Sequence, residues 1–159
     1  MFYSFLEESP AGRILVAGDE TALREVRFLR ERPERAIIPD DWEENERPLR
    51  ATLKQLRAYF AGRLQEFDVP ICPEGTAFQR DVWEALRAVP YGETASYGQI
   101  ARQIGRPKAC RAVGAANGRN PIPIIVPCHR IIGSNGSLVG FGGGLGVKKA
   151  LLRLEGIAV

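Results

Sequence analysis

A chain of 159 residues, 45% of them apolar, has room for one domain or two small ones and carries no apolar run of membrane-spanning length. Three cysteines and a single histidine, with no Cys-x-x-Cys or His-x-x-x-His spacing, argue against a disulfide scaffold and a structural zinc site. The net charge of +3 is uneven: residues 1–74 hold 11 basic and 15 acidic side chains, residues 75–159 hold 11 and 4, so the second half points to a polyanion, nucleic acid first.

In chain order, Met1 to Glu8 lacks a basic n-region and reaches acid at Glu7, so no signal peptide is read and the expected address is the cytoplasm. Arg13 to Ala17 reads as a strand, Gly18-Asp19 as a turn, and Leu23 to Leu29 as a second strand. Pro33 to Pro48 is charged and rich in breakers, which predicts a surface loop with Trp42 as a packing residue. Leu49, Leu53, Leu56 and Phe60 have helical spacing, and Gly62 closes that helix. Asp68 to Gly75 carries Pro70 and Pro73 where the charge balance changes sign. It therefore divides an N-terminal domain, 1–72, from a C-terminal one, 75–159. Nothing in the first domain looks catalytic.

Thr76-Ala77-Phe78-Gln79 is a capping box that opens a helix with Phe78, Val82, Ala85 and Leu86 on one face. Ser96-Tyr97-Gly98-Gln99 is a second box, opening a short helix through Gln103. Gly105-Arg106-Pro107 stops that helix and starts another at about Lys108, which runs to Asn117-Gly118. Two short helices joined by a tight turn form a helix-turn-helix, the second rich in small residues with Arg111 projecting. Gly133 to Gly136 reads as a hairpin-like turn, and Gly140 to Gly144 as a loop that approaches a ligand closely. No Gly-Lys-Ser/Thr follows, so that loop is not a P-loop. A last helix runs from about Val147 to Glu155 and closes at Gly156.

The chain is organised around Asn120 to Ile132, where an apolar run with three prolines delivers Cys128 between Pro127 and His129. Each proline fixes its own φ and biases its predecessor toward extended geometry, so the approach is stiff and mostly non-helical. A buried structural cysteine is the bland reading. His129 and Arg130 supply instead the electropositive setting of a nucleophile, and His129 is the first choice of neutral-pH base. Neighbours on a strand point to opposite faces, so the imidazole reaches the sulfur through a bend or a bridging water. Cys72 and Cys110 read as structural.

Pro127-Cys128-His129-Arg130 after Asn120-Pro121-x-Pro123, together with Ser96-Tyr97-Gly98, Arg111-Ala112-Val113-Gly114 and Gly143-Gly144-Leu145, resembles the O6-alkylguanine-DNA alkyltransferases, the methylated-DNA–protein-cysteine methyltransferase family. The resemblance covers residues 75–159 strongly and the N-terminal half only in its order of strands and helix. It implies an α/β (α+β) chain: a small N-terminal domain of strand hairpin plus helix, then a winged helix-turn-helix-like alkyltransferase domain. It implies direct-reversal DNA repair in one irreversible turnover, with the alkyl group of O6-alkylguanine moving to Cys128 and O4-alkylthymine a second candidate substrate.

The roles the resemblance implies are specific. Cys128 takes the alkyl group by in-line displacement, His129 deprotonates it through a water, and Glu155 orients His129. Tyr97 crowds the flipped nucleotide's phosphate and donates toward guanine N3. Asn120 is the hinge residue between helix-turn-helix and cysteine. Arg111 inserts into the base stack, and Ala112, Gly114, Ser96 and Arg130 lie with it on the DNA-binding side. Main-chain groups near Cys128, Ile131, Phe141, Gly142 and Gly143 hold the guanine. The implied partner is double-stranded DNA, entered by its minor groove with the damaged base flipped out, bound by a monomer without metal, cofactor or membrane. Phe141 stands where many members carry Tyr, and Gly142 where some carry Ser, so this loop lacks a hydroxyl. Taken singly, Tyr97, Arg111, Glu155 and Asn120 read as a helix-end residue, a solvated charge, a surface acid and a turn former. The rival functions are a damage-flagging DNA-binding module, a helix-turn-helix regulator with a cysteine switch, and a Cys-His hydrolase.

Overall fold

The computed structural model describes residues 1–30, 33–138, 141 and 143–159. They form two compact units, Met1–Pro73 and Glu74–Val159.

In the first unit, strands β1 (Phe2–Leu6), β2 (Ile14–Gly18), β3 (Leu23–Phe28) and β4 (Glu43–Glu44) make one sheet in the order β3-β2-β1-β4. The expected hairpin is β2–β3, antiparallel, with its turn held by the Asp19 carboxylate accepting from the Thr21 and Ala22 amides at 2.8 and 2.9 Å. β1 was not foreseen. Its register pairs Phe5 with Leu15 and Leu6 with Ile14, so it covers a strand buried along its whole length. The 33–48 segment is not all loop: it holds two short 3-10 turns and β4, which pairs parallel with β1. Trp42 packs beside Leu15, Ala17 and Leu29, as expected of a core residue. Helix α1 (Arg50–Phe60) buries Thr52, Leu53, Leu56 and Tyr59, so Tyr59 and not Phe60 completes its inner face. Gly62, at φ +74°, ends the helix where a side chain would be strained.

In the second unit, α2 (Ala77–Arg87), α3 (Tyr97–Gln103) and α4 (Cys110–Gly118) pack on one another. Both capping boxes form: Gln79 N donates to Thr76 Oγ1 and Gln99 N to Ser96 Oγ, each at 3.1 Å, and each glutamine reaches back to its cap. Phe78 is only half-buried, and Trp83, passed over in the sequence, takes the central place. It is 2% exposed, and its Nε1 donates to Ala116 O at 2.9 Å, tying α2 to α4. Trp83→Ala is expected to cost about 3–5 kcal/mol, read as a fall in the urea midpoint at unchanged slope.

The remaining pieces place the site. β5 (Ala95–Ser96) pairs parallel with β6 (Ile131–Ile132). The expected hairpin-like turn at Gly133–Gly136 forms, closed by Gly133 N donating to Ser137 O at 2.9 Å. Helix α5 (Leu145–Leu154) starts two residues earlier than expected, after Gly144 at φ +95°, and Glu155 is its C-cap. No helix of the described residues is long and apolar enough to cross a membrane.

Candidate active site

The approach to Cys128 is a compact turn more than an extended strand. Asn120 organises it: its Nδ2 donates to Val126 O at 2.9 Å and its Oδ1 accepts from Ile122 N at 3.0 Å. Val126 N donates to Ile122 O at 3.0 Å, which folds the apolar run back on itself. Ile124 consequently sits at φ +74°, the left-handed region that a β-branched residue avoids. Such strain costs about 1–3 kcal/mol and persists only where surroundings over-determine it. Here Ile122, Ile124 and Val126 are all buried, so side-chain burial holds the turn.

Cys128, His129 and Arg130 then form one turn of 3-10 helix, so the opposite-face rule for strands does not apply to them. His129 is wholly buried, and its Nε2 lies 2.6 Å from Glu155 Oε2. The same carboxylate receives Arg130 Nε at 2.8 Å and Nη2 at 3.1 Å, and the Gly92 amide at 3.1 Å. Arg130 Nη1 donates to Val89 O at 2.7 Å. Arg130 therefore departs from its expected place on the DNA side. Its guanidinium is buried, because a carboxylate brought inside by α5 needs a counter-charge there.

Glu155 fixes which imidazole nitrogen is available. With Nε2 on the carboxylate, Nδ1 is left buried and without a hydrogen-bond partner. Burial pulls the His129 pKa below its usual value, and the Glu155 hydrogen bond and charge oppose that pull. The imidazole is thus neutral at pH 7 and can accept a proton. Burial pushes the Cys128 thiol up to about 11, against a hydrogen bond from Asn120 and the positive charge of Lys148. The resting group is a thiol. Cys72 and Cys110 are exposed, contrary to a structural place for either. Iodoacetamide at pH 7 should therefore modify them before Cys128. The Cys128 rate should rise about tenfold per pH unit toward its pKa, read by peptide mass mapping.

Lys148 was not expected here. It lies on α5, is fully buried, and its Nζ donates to Ile131 O at 2.5 Å. Burial lowers its pKa, and the charge of an ionised Cys128 opposes that shift. Asn117, also unforeseen, is 2% exposed, and its Nδ2 donates to Cys128 O at 3.4 Å. Helical periodicity carried both signals. Val113, Ala116 and Asn117 share the buried face of α4, and Val147, Lys148, Leu151 and Leu152 that of α5.

The other expected residues lie as follows. Tyr97 opens α3 half-buried, its ring 3.7 Å from where a Cβ on Gly114 would stand, an ordinary van der Waals contact. Burial and then the Cys128 charge raise the Tyr97 pKa, so its hydroxyl keeps its proton and can donate. Arg111 and Ala112 are exposed on α4. Ser96 Oγ caps α3 and borders a cleft of about 340 Å³ that Thr94, Arg102 and Ser134 also line. Ile131 is buried, its amide donating to Cys128 O and its carbonyl accepting from Lys148. Phe141 and Gly143 are buried, and Gly142 lies outside the described residues. Among the described residues, no three His, Cys, Asp or Glu side chains cluster as metal ligands.

Residues 1–73 match the family model described as 6-O-methylguanine DNA methyltransferase, ribonuclease-like domain, and residues 77–157 match 6-O-methylguanine DNA methyltransferase, DNA binding domain. The chain belongs to the 6-O-methylguanine DNA methyltransferase family. It is 56% identical over 156 residues to the methylated-DNA–protein-cysteine methyltransferase of Methanosarcina acetivorans, covering 98% of this chain and 99% of that one. It is 51% identical over 148 residues to the protein of the same name from Mycobacterium tuberculosis strain H37Rv, covering 93% and 88%. The crystal structure of Mycobacterium tuberculosis OGT in complex with DNA superposes with a TM-score of 0.89 at 49% identity, over 98% of this chain and 92% of that one. The N-terminal unit, whose sequence offered only an order of strands and helix, is thus as much a domain of this methyltransferase family as the unit that holds Cys128.

Proposed function

We propose that this protein repairs DNA by moving the alkyl group of O6-alkylguanine irreversibly to Cys128, one turnover per molecule, as a methylated-DNA–protein-cysteine methyltransferase. The observation that carries the reading is the setting of its one buried thiol. It stands on the same 3-10 turn as a neutral imidazole whose outer nitrogen is clamped by Glu155. In the step itself the Cys128 proton passes to His129 Nδ1, directly or across one water. The sulfur attacks the alkyl carbon in line, a C–S bond forms, the C–O6 bond breaks, and its electron pair leaves on the guanine. A proton from the Tyr97 hydroxyl toward N3 eases that departure. Glu155 stabilises the imidazolium, its carboxylate held in place by Arg130. The thioether product has no leaving path back, so the protein is spent.

The target atom lies inside the duplex, so the base must be flipped out, at a cost of a few kcal/mol. Exposed Arg111 on α4 fills the gap left in the stack, and small Ala112 and Gly114 let that helix into the narrow minor groove. The protein does this as a monomer, in the compartment that holds the DNA, here read as the cytoplasm. The test is to incubate it with a duplex carrying O6-methylguanine and weigh the intact protein. One added methyl located on Cys128 is the expected result. An unchanged mass with tight binding would replace repair by a damage-flagging module.

A further inference from the structure

The cleft of about 340 Å³ beside α3 plays no part in the alkyl-transfer step. Thr94, Ser96, Gln99 and Arg102 border it from the β5–α3 segment, and Ile132 and Ser134 from β6 and the turn after it. The capping box shapes this border. Ser96 Oγ accepts from the Gln99 amide at 3.1 Å, and Gln99 Oε1 accepts from the Ser96 amide at 2.8 Å. Each side chain gives its oxygen to the backbone, and the Ser96 hydroxyl proton and Gln99 Nε2 remain as donors. Arg102 brings the charge. It is exposed, joins none of the ion pairs of the described residues, and no carboxylate lines the cleft. A Cβ on Gly98 would stand 3.5 Å from Arg102 Nη1 and 3.9 Å from Ser96 Oγ, so guanidinium and hydroxyl converge over a residue without a side chain.

A guanidinium among hydroxyl and amide donors, with no carboxylate beside it, selects an anion, and its planar fork matches a phosphate. The place of the cleft in the fold says which phosphate. Ser96 leads directly into Tyr97, and Ile132 and Ser134 lie just beyond Cys128 in the chain. β5 and β6 hold these two segments side by side, with Ser96 opposite Ile132. The repair reading sets Tyr97 against the phosphate of the flipped nucleotide, so the strand that carries the damage runs past this cleft. We infer that the cleft holds a neighbouring phosphodiester of that same strand, with Arg102 as its counter-charge. This rests on the repair reading above and adds a contact to it. Phosphate contacts carry no sequence information but fix register. A phosphate gripped beside the flipped nucleotide sets where along the duplex the extruded base arrives.

Binding to a duplex carrying O6-methylguanine should be measured by fluorescence anisotropy from about 50 to 200 mM salt, in Cys128→Ser chains so that the damage is not consumed. Adding Arg102→Gln is expected to weaken binding on the order of tenfold and to lower the salt slope by about 1. Adding Arg87→Gln removes the same charge from an exposed position on α2 outside the cleft, and should change the slope far less. An unchanged slope for Arg102→Gln, or an equal fall for Arg87→Gln, overturns the inference. Neutral methylphosphonate links, placed singly along either strand, locate the contact. One link in the damaged strand, beside the flipped nucleotide, should weaken the chain that keeps Arg102 and cost Arg102→Gln nothing further. Coupling to a link in the complementary strand, or to none, overturns it too. Methyl transfer to wild-type Cys128 is scored separately: its absence sinks the repair reading, whereas normal transfer with an unchanged slope sinks only the Arg102 contact.

Discussion

Cys128→Ser is expected to lower methyl transfer by about 10⁴-fold or more while leaving duplex affinity nearly unchanged. The reason is electronic. An alkyl carbon is a soft, neutral electrophile, and a serine hydroxyl is both a weaker nucleophile and far harder to ionise in a site that already pushes a thiol up to about 11. DNA affinity comes from cationic contacts to phosphate, and the exposed cations of the helix-turn-helix, Arg111 among them, stand on different elements from Cys128. Intact mass after incubation with alkylated duplex reads the first quantity, and fluorescence anisotropy on the same duplex the second. Transfer surviving in this variant, with the methyl on Cys110 or Cys72, would move the nucleophile elsewhere.

Glu155→Ala is expected to damage stability and chemistry together. Its carboxylate is the common acceptor for His129, Arg130 and the Gly92 amide, and its side chain is fully buried. Removing it strands the Arg130 guanidinium in the interior, which costs about 3–5 kcal/mol. It also frees the His129 tautomer and takes away the charge that stabilises the imidazolium, a loss of about 10²–10⁴-fold in transfer. Urea unfolding measures the first, single-turnover rate per folded molecule the second. Replacing Arg130 and Glu155 together by apolar residues should cost less stability than Glu155→Ala alone, since no charge is then left unpaired. That double variant separates the two effects: stability partly returns, the rate does not. Equal stability for Glu155→Ala and wild type would mean that the ion cluster is not coupled to the fold.

Arg130 shows where linear sequence misleads. Beside the cysteine it reads as a surface charge facing DNA, because nothing local reveals that a carboxylate 25 residues away will be buried against it. Lys148 and Asn117 misled in the opposite sense. Their helical phase marked them as inward, but a polar type outweighs phase when a sequence is scanned for cores. β1 went unread because a short aromatic strand has no signal of its own until β2 pairs with it.

Taken alone, the sequence settled what local chemistry controls. The two capping boxes set the starts of α2 and α3 to the residue, since each cap is closed within four residues. The charge reversal and prolines lie near residue 73, where the two compact units meet in sequence, and the Pro-Cys-His-Arg run pointed to the nucleophile proposed above. Only the tertiary structure decided how His129 and Arg130 share the Glu155 carboxylate, that Ile124 is forced to positive φ, and which buried polar atoms among the described residues are left without a partner. Those outcomes depend on which groups lose water together, and burial is a property of the packed chain and not of any segment in it.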